Sequence, residues 1–281
     1  MTSKYYYLVA GLPELSLEDN KLSYTVADFK TEFYPFLSPK DQQLVNLYYL
    51  KFDNANVLAL LRQQEDAFDA RGCYSAAQLE EYIAALKEGD TLPDDLFPSY
   101  LSTFITEYFQ QEAAAQQQLP EDRLASLYYA YAMKCSNRFV AQWFEFNLTM
   151  NNVLVALAAR KYKWDVAQCI VGDTAVCEAL RNSTARDFGL SAELDYLDAL
   201  MKIGDTEELV EKERKADLLR WKWMEENSCF CYFTVERLFV FLMQIEMIER
   251  WITLDKEKGN QMFRQLISTL KDQVQIPAEF R

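Results

Sequence analysis

The chain has 281 residues, enough for one large domain or two to three smaller lobes, and it is 50% hydrophobic and 14% aromatic, which excludes a disordered protein. Its 29 basic against 43 acidic residues leave a formal charge of −14. With no Lys/Arg stripe to neutralise phosphates, nucleic acid is excluded as a partner, and the same balance disfavours an anionic lipid surface.

Only 7 glycines and 7 prolines occur, with none of the prolines between Pro120 and Pro277, a scarcity that favours long helices over strands and turns. One lysine precedes the opening apolar run YYYLVAGLP, which has no small-residue cleavage site and is too short for a secretory segment followed by cleavage. The longest uncharged run near the apolar centre, 146–159, is shorter than the ~18 residues of a span and contains Asn147, Asn151 and Asn152. A cytosolic protein without a span of its own is expected. Six cysteines, at 73, 135, 169, 177, 229 and 231, show no repeating spacing and read as reduced core residues.

In chain order, helices are expected at 22–34, 39–51, 54–65, 75–87, 99–118, 121–147, 149–163, 174–182, 192–203, 206–227, 233–256 and 260–272. Ser38-Pro39 places a capping serine before a first-turn proline, and Ser75 to Gln78 and Asp205 to Glu208 have capping-box form, with Asp165 to Gln168 a looser version. Stops are marked by Gly89, Gly172, Gly189, Gly204 and Gly259. The expected fold is therefore all-α, a single domain over 1–281 with lobes at about 1–120, 121–190 and 191–281. In the last long helix Leu238, Leu242, Ile245, Ile248 and Ile252 recur at helical spacing, and Glu246 precedes Arg250 by one turn, the pattern of an amphipathic core helix with a surface ion pair.

Without histidine, the chemistry left to an enzyme is that of carboxylates. No G-x-G-x-x-G, G-x-x-x-x-G-K-[ST] or G-x-S-x-G motif occurs. Asp94-Asp95 is the best pair for holding Mg²⁺ against a diphosphate, as in all-helical isoprenoid enzymes, but Leu96-Phe97-Pro98 follows with no third carboxylate, and a solvated turn accounts for it equally. Glu246 and Glu249 share a helix face without a histidine or a second pair, so no metal or other cofactor is expected.

The stretch FNLTMNNVLVALAARKYKWD, 146–165, is apolar from Val153 to Ala159 yet starts with asparagines and ends in Arg160, Lys161 and Lys163. Asparagine competes for backbone groups inside helices and serves well as a cap, so Asn147 or Asn151 is expected to close one helix and open the next, with Asn152 facing a partner helix or loop. Leu47–Arg62 runs through the order aromatic, acid or amide, Asn, Val-Leu, then base; Trp143–Arg160 repeats it with a two-residue difference. Phe241–Leu254 offers a third copy, with Glu249-Arg250 where the others have Asn-Val. Three related helical lobes around one axis are expected.

On these residues the chain resembles the C subunits of archaeal-type and bacterial V-type rotary ATPases, called d in eukaryotic complexes. Asn152, Val153, Leu154 and Arg160-Lys161 look like that family's repeated Asn-Leu-x-x-x-x-Arg helix, and Phe241–Ile252 resembles its C-terminal Tyr-Leu-x-x-x-Glu-x-x-Asn-Leu-Arg-x-Ile segment, with Glu249 where the family has Asn. The start YYYLVAGLPEL is similar to that of proteins encoded alongside bacterial V-type ATPases. The resemblance implies a non-catalytic helical funnel with pseudo-threefold repeats, monomeric in isolation and lying at the cytoplasmic face of the inner membrane. Its partners would be the central shaft and the proteolipid ring. Asn151, Asn152, Arg160, Glu246 and Arg250 would then be structural or interface residues. A helical scaffold for another cytosolic protein and an isoprenoid-type enzyme using Asp94 and Asp95 remain the alternatives.

Overall fold

The computed structural model describes residues 4–64, 67–89, 96–110 and 119–254, and these are all-helical, with no strand among the described residues. A short α1 (Tyr6–Ala10) leads to α2 (Val26–Asp28), which continues through a π-helical turn, Phe29–Phe33, and a 3-10 turn, Tyr34–Phe36. Then come α3 (Pro39–Leu61), α4 (Ala76–Glu88), α5 (Ser99–Gln110), α6 (Pro120–Ala132) and α7 (Arg138–Tyr162). The short α8 (Val166–Cys169), α9 (Ala175–Asn182) and α10 (Leu197–Gly204) precede the long α11 (Leu209–Ser228) and α12 (Val235–Thr253). The helix expected at 260–272, with Gly259, lies outside the described residues.

Local chemistry explains most starts and stops. Ser38 and Asn137 accept from the Asp41 and Val140 N–H groups, while Thr25 with Asp28 and Ser75 with Gln78 close full capping boxes. Gly89 follows α4 with φ +85°, the left-handed cap that glycine adopts without Cβ strain. The capping box expected at Asp205 is not formed. Asp205 ends α10, and the Glu208 carboxylate caps α11 by accepting from the Val210 and Glu211 N–H groups.

The short α1 and α8 are additions to the expected helices, and three junctions differ from the sequence reading. The helices expected at 39–51 and 54–65 are one, because the polar residues between them point their side chains away from the α3 backbone. Asp53 accepts from the N–H groups of Cys73 and Tyr74 at 2.8 and 3.2 Å, and Asn54 accepts from the Tyr100 hydroxyl at 2.6 Å. Conversely, the chain breaks near 133–137, inside the helix expected at 121–147, and α7 then runs unbroken through Asn147, Asn151 and Asn152. Asn137 makes that start: it caps α7 and donates to Glu236 at 2.7 Å, fastening the corner to the first turn of α12. Asn147 is tolerated mid-helix because its amide donates back to the Trp143 carbonyl at 2.8 Å.

Helix α7 is the spine, touching α6, α8, α9, α10, α11 and α12. Its partner in the centre is α12, in which every residue from Leu238 to Ile245 is buried, so this half is enclosed on all sides and not striped as the 3- and 4-residue spacing suggested. Buried hydrophobics from Leu17 to Ile248 join in one connected core, with Phe29, Phe33 and Phe241 meeting in an aromatic knot beneath the π-helical turn. Val155, by contrast, is exposed, so the apolar stretch of α7 is covered on most sides only. All six cysteines are free; Cys177 is buried but Cys229 is exposed, which corrects the reading of all six as core residues.

The loop after α3 approaches that helix closely at Gly72, where a Cβ would lie 2.3 Å from Asp53 Oδ1. Gly72→Ala is expected to lower stability by about 2 kcal/mol through forced displacement of a buried carboxylate, checked by urea denaturation.

Candidate functional site

Both α3 and α7 use an asparagine to hold the loop that follows. Asn152 Nδ2 donates to the Val171 carbonyl at 2.7 Å, and the Val171 N–H donates to Asn152 Oδ1 at 3.1 Å. Asn56 does the same to Asp69, at 2.9 and 2.7 Å. Each amide is buried and replaces, for one loop residue, the partners that a strand or helix would supply. Beyond each clamp the helix ends alike. Gln63 and Lys163 adopt left-handed φ values of +56° and +59°, and the next N–H reaches back to Ala59 or Ala159. A capped helix follows each clamped loop, α4 from Ser75 and α9 from Thr174, although after α7 the short α8, capped by Asp165, comes first.

Arg160 completes the α7 end. Its guanidinium donates to the Ser183 and Ala185 carbonyls, each at 2.6 Å, and lies 3.6 Å from the centre of the Phe188 ring, fastening the segment after α9. On the first loop Lys30 donates to the Arg71 and Gly72 carbonyls, beside Cys73, whose thiol is pushed up to about 12 chiefly by burial and then by Asp53.

The other face of α7 meets α3, α11 and α12 around a cleft of about 260 Å³. Its centre is Asp217 on α11, whose carboxylate is 1% exposed. Arg220 donates to it at 2.9 Å and Trp251 Nε1 at 2.8 Å, with a short bond from Arg250. Arg220 then reaches α7, donating to Asn147 Oδ1 at 3.1 Å and Asn151 Oδ1 at 2.9 Å. Across the cleft Lys51 of α3 pairs with Glu246 of α12 at 2.9 Å, its ammonium over the Tyr48 ring. Burial pushes Lys51 below the ordinary lysine range, and Glu246 draws it back. Burial drives the Tyr48 phenol upward, and its hydroxyl has no hydrogen-bond partner among the described residues. Lys51, Arg220 and Arg250 face Glu213, Asp217 and Glu246, so the walls are electrically balanced. Chemically, this arrangement holds four helices in register; its volume suits a side chain and is too small for a helix end of about 10 Å diameter.

Of the five residues singled out from sequence, the structure brings Asn151, Glu246 and Arg250 to this cleft and places Asn152 and Arg160 at the clamped end of α7. Glu246 and Glu249 do not act together. The first pairs with Lys51, and the second accepts from the Val26 N–H at 3.0 Å, at the start of α2. Asp217, Arg220, Lys51 and Tyr48 were missed. Asp217 sits in the charged run EKERKADLLRWK, where nothing in the sequence distinguishes a buried carboxylate from solvated ones. Asp94 and Asp95 lie outside the described residues.

Asn152→Ala is expected to cost about 2–4 kcal/mol, since it strands the Val171 N–H and leaves the Val171 carbonyl only the weak Cys177 thiol donor at 3.3 Å, and Asn56→Ala should cost a similar amount through Asp69. Thermal and urea unfolding check both, and an unchanged melt would refute the clamp. Asp217→Ala is expected to cost about 3–5 kcal/mol, because two guanidiniums lose their shared buried partner; the measurement is urea denaturation against an Arg250→Ala control.

No curated protein and no solved structure matches the chain. A family described as "Protein of unknown function (DUF2764)" matches residues 1–274, nearly the whole length. The chain belongs to that family.

Proposed function

We propose that this protein is a non-catalytic central-stalk subunit of a bacterial V/A-type rotary ATPase, coupling the rotary shaft to the membrane proteolipid ring. The observation that carries the reading is the repeated construction of α3 and α7: an asparagine clamp, a left-handed helix end, then a capped helix. Of the two, Asn152 is among the residues on which the family resemblance rests. Glu249, at the corresponding place in the third expected copy, accepts instead from the N–H of Val26 at the start of α2, so the third unit of the pseudo-threefold order is carried by the sequence repeat alone.

The physical task suits such a body. Transmitting torque calls for elements that do not slide, and each clamp ties a long helix to a segment 13 or more residues away by two hydrogen bonds, to the N–H and the C=O of one residue. The balanced cleft adds ion pairs between α3, α11 and α12, the kind of contact that fixes helix register. On this reading the protein works at the cytoplasmic face of the membrane, held by its partners, since no helix of the described residues is long and apolar enough to cross a membrane.

Affinity capture of a tagged copy from gently solubilised native membranes tests the proposal. Recovery of proteolipid, shaft and ATPase-head subunits in fixed ratio is the expected result. Capture without them would overturn it in favour of a helical scaffold for a different cytosolic partner.

A further inference from the structure

Net charge argues against an anionic surface as a partner, yet the fold gathers cations at one exposed turn. The end of α7 reads Lys161-Tyr162-Lys163-Trp164, and all four side chains are exposed, Tyr162 by 60% and Trp164 by 62%. Their rings lie together, centroids 5.3 Å apart. Lys161, Lys163 and the nearby Arg186 have no carboxylate within salt-bridge reach among the described residues. The adjacent Asp165, which caps α8, and Asp187, which holds the Gly189 N–H and the Ser191 hydroxyl, keep their negative charge, so the three cations outnumber the neighbouring acids by one.

The turn is also built to be stiff. Lys163 is held in the left-handed region, where glycine is usual, and the Trp164 N–H closes on the Ala159 carbonyl at 2.8 Å. Behind it Arg160 is pinned to the Ser183 and Ala185 carbonyls. The matching turn after α3 carries Gln63 and Gln64 in place of Lys163 and Trp164, so the backbone device does not itself require aromatic and basic residues.

We infer that the Lys161–Trp164 turn is a contact for an anionic lipid bilayer, with Tyr162 and Trp164 at the boundary of headgroups and acyl chains and the two lysines on acidic headgroups. Tyrosine and tryptophan suit that boundary because one end of each ring system is apolar and the other carries a hydrogen-bond donor. Lysine stems lie along the apolar layer while the ammonium stays among the headgroups. Repulsion from charges farther away is screened beyond about 8 Å at physiological salt, so the charges of the exposed turn dominate at contact. This contact does not rest on the rotor reading, and capture of ATPase subunits neither requires nor excludes it.

The test uses the full chain with vesicles of phosphatidylglycerol and phosphatidylcholine at low ionic strength, read by co-flotation and by quenching of tryptophan emission with acyl-brominated lipid. Expected are binding to the anionic vesicles and not to pure phosphatidylcholine, release by high salt, and quenching that disappears in Trp164→Phe. A Lys161→Glu, Lys163→Asn double variant, asparagine being tolerated in the left-handed conformation, should bind at least about tenfold more weakly with an unchanged circular dichroism spectrum. Absence of binding at low salt overturns the inference, as does undiminished binding by the double variant. Salt-sensitive binding without bromolipid quenching would also overturn it, because a purely electrostatic contact is what an acidic protein partner would make.

Discussion

The two-point bond between Asn152 and Val171 is the interaction on which the α7 half of the structure depends. A loop laid against a buried helix carries peptide groups that neither water nor a ladder can satisfy, and each unpaired one costs about as much as a lost hydrogen bond. An asparagine amide supplies one donor and one acceptor in the geometry of a peptide, so a single side chain satisfies both groups of one loop residue. Once Val171 is held, Gly172 turns with φ +86° against Leu148, Thr174 caps α9, and Arg160 can reach the carbonyls beyond it. Asn56 plays the same part for the Asp69 loop, where Gly72 is pressed against Asp53.

On its other face α7 is held by charge. Asp217 is buried among three donors, two of them guanidiniums, and such a group stabilises only when its partners are complete. Its arrangement is more informative about geometry than about stability: Arg220 links α11 to two asparagines of α7, and Arg250 links it to α12. A spine clamped to loops on one side and hydrogen-bonded through the Arg220 guanidinium to an ion-paired cluster on the other has little freedom to slide, which is the property the proposed coupling role needs.

Much of this was legible in the residues because it is local. Helical class followed from the scarcity of glycine and proline, and the starts at Ser38 and Ser75 from cap chemistry within four residues. Asn151, Asn152, Arg160, Glu246 and Arg250 stood out because amides and charges beside apolar runs must find partners. Their partners did not stand out: Lys51 and Glu246 are 195 residues apart, and Val171 contributes only its backbone, which every residue has. The misread junction shows the same limit, since Asn147 looks like a helix end until its amide is seen returning to Trp143, whereas the true corner at Asn137 is fixed by Glu236, nearly a hundred residues on.

By itself, then, the sequence determined the helical class, the caps at Ser38, Ser75 and Asp165 and the spacing of polar residues on the helices, because these depend on bonds between near neighbours. Tertiary structure decided which of those polar residues hold loops, which form the Asp217 cleft, and which stay exposed at the Lys161–Trp164 turn. The reason is that burial and pairing are properties of chains brought together. The same asparagine is a cap, a back-bonded helix residue or a clamp according to which peptide the fold places in front of it.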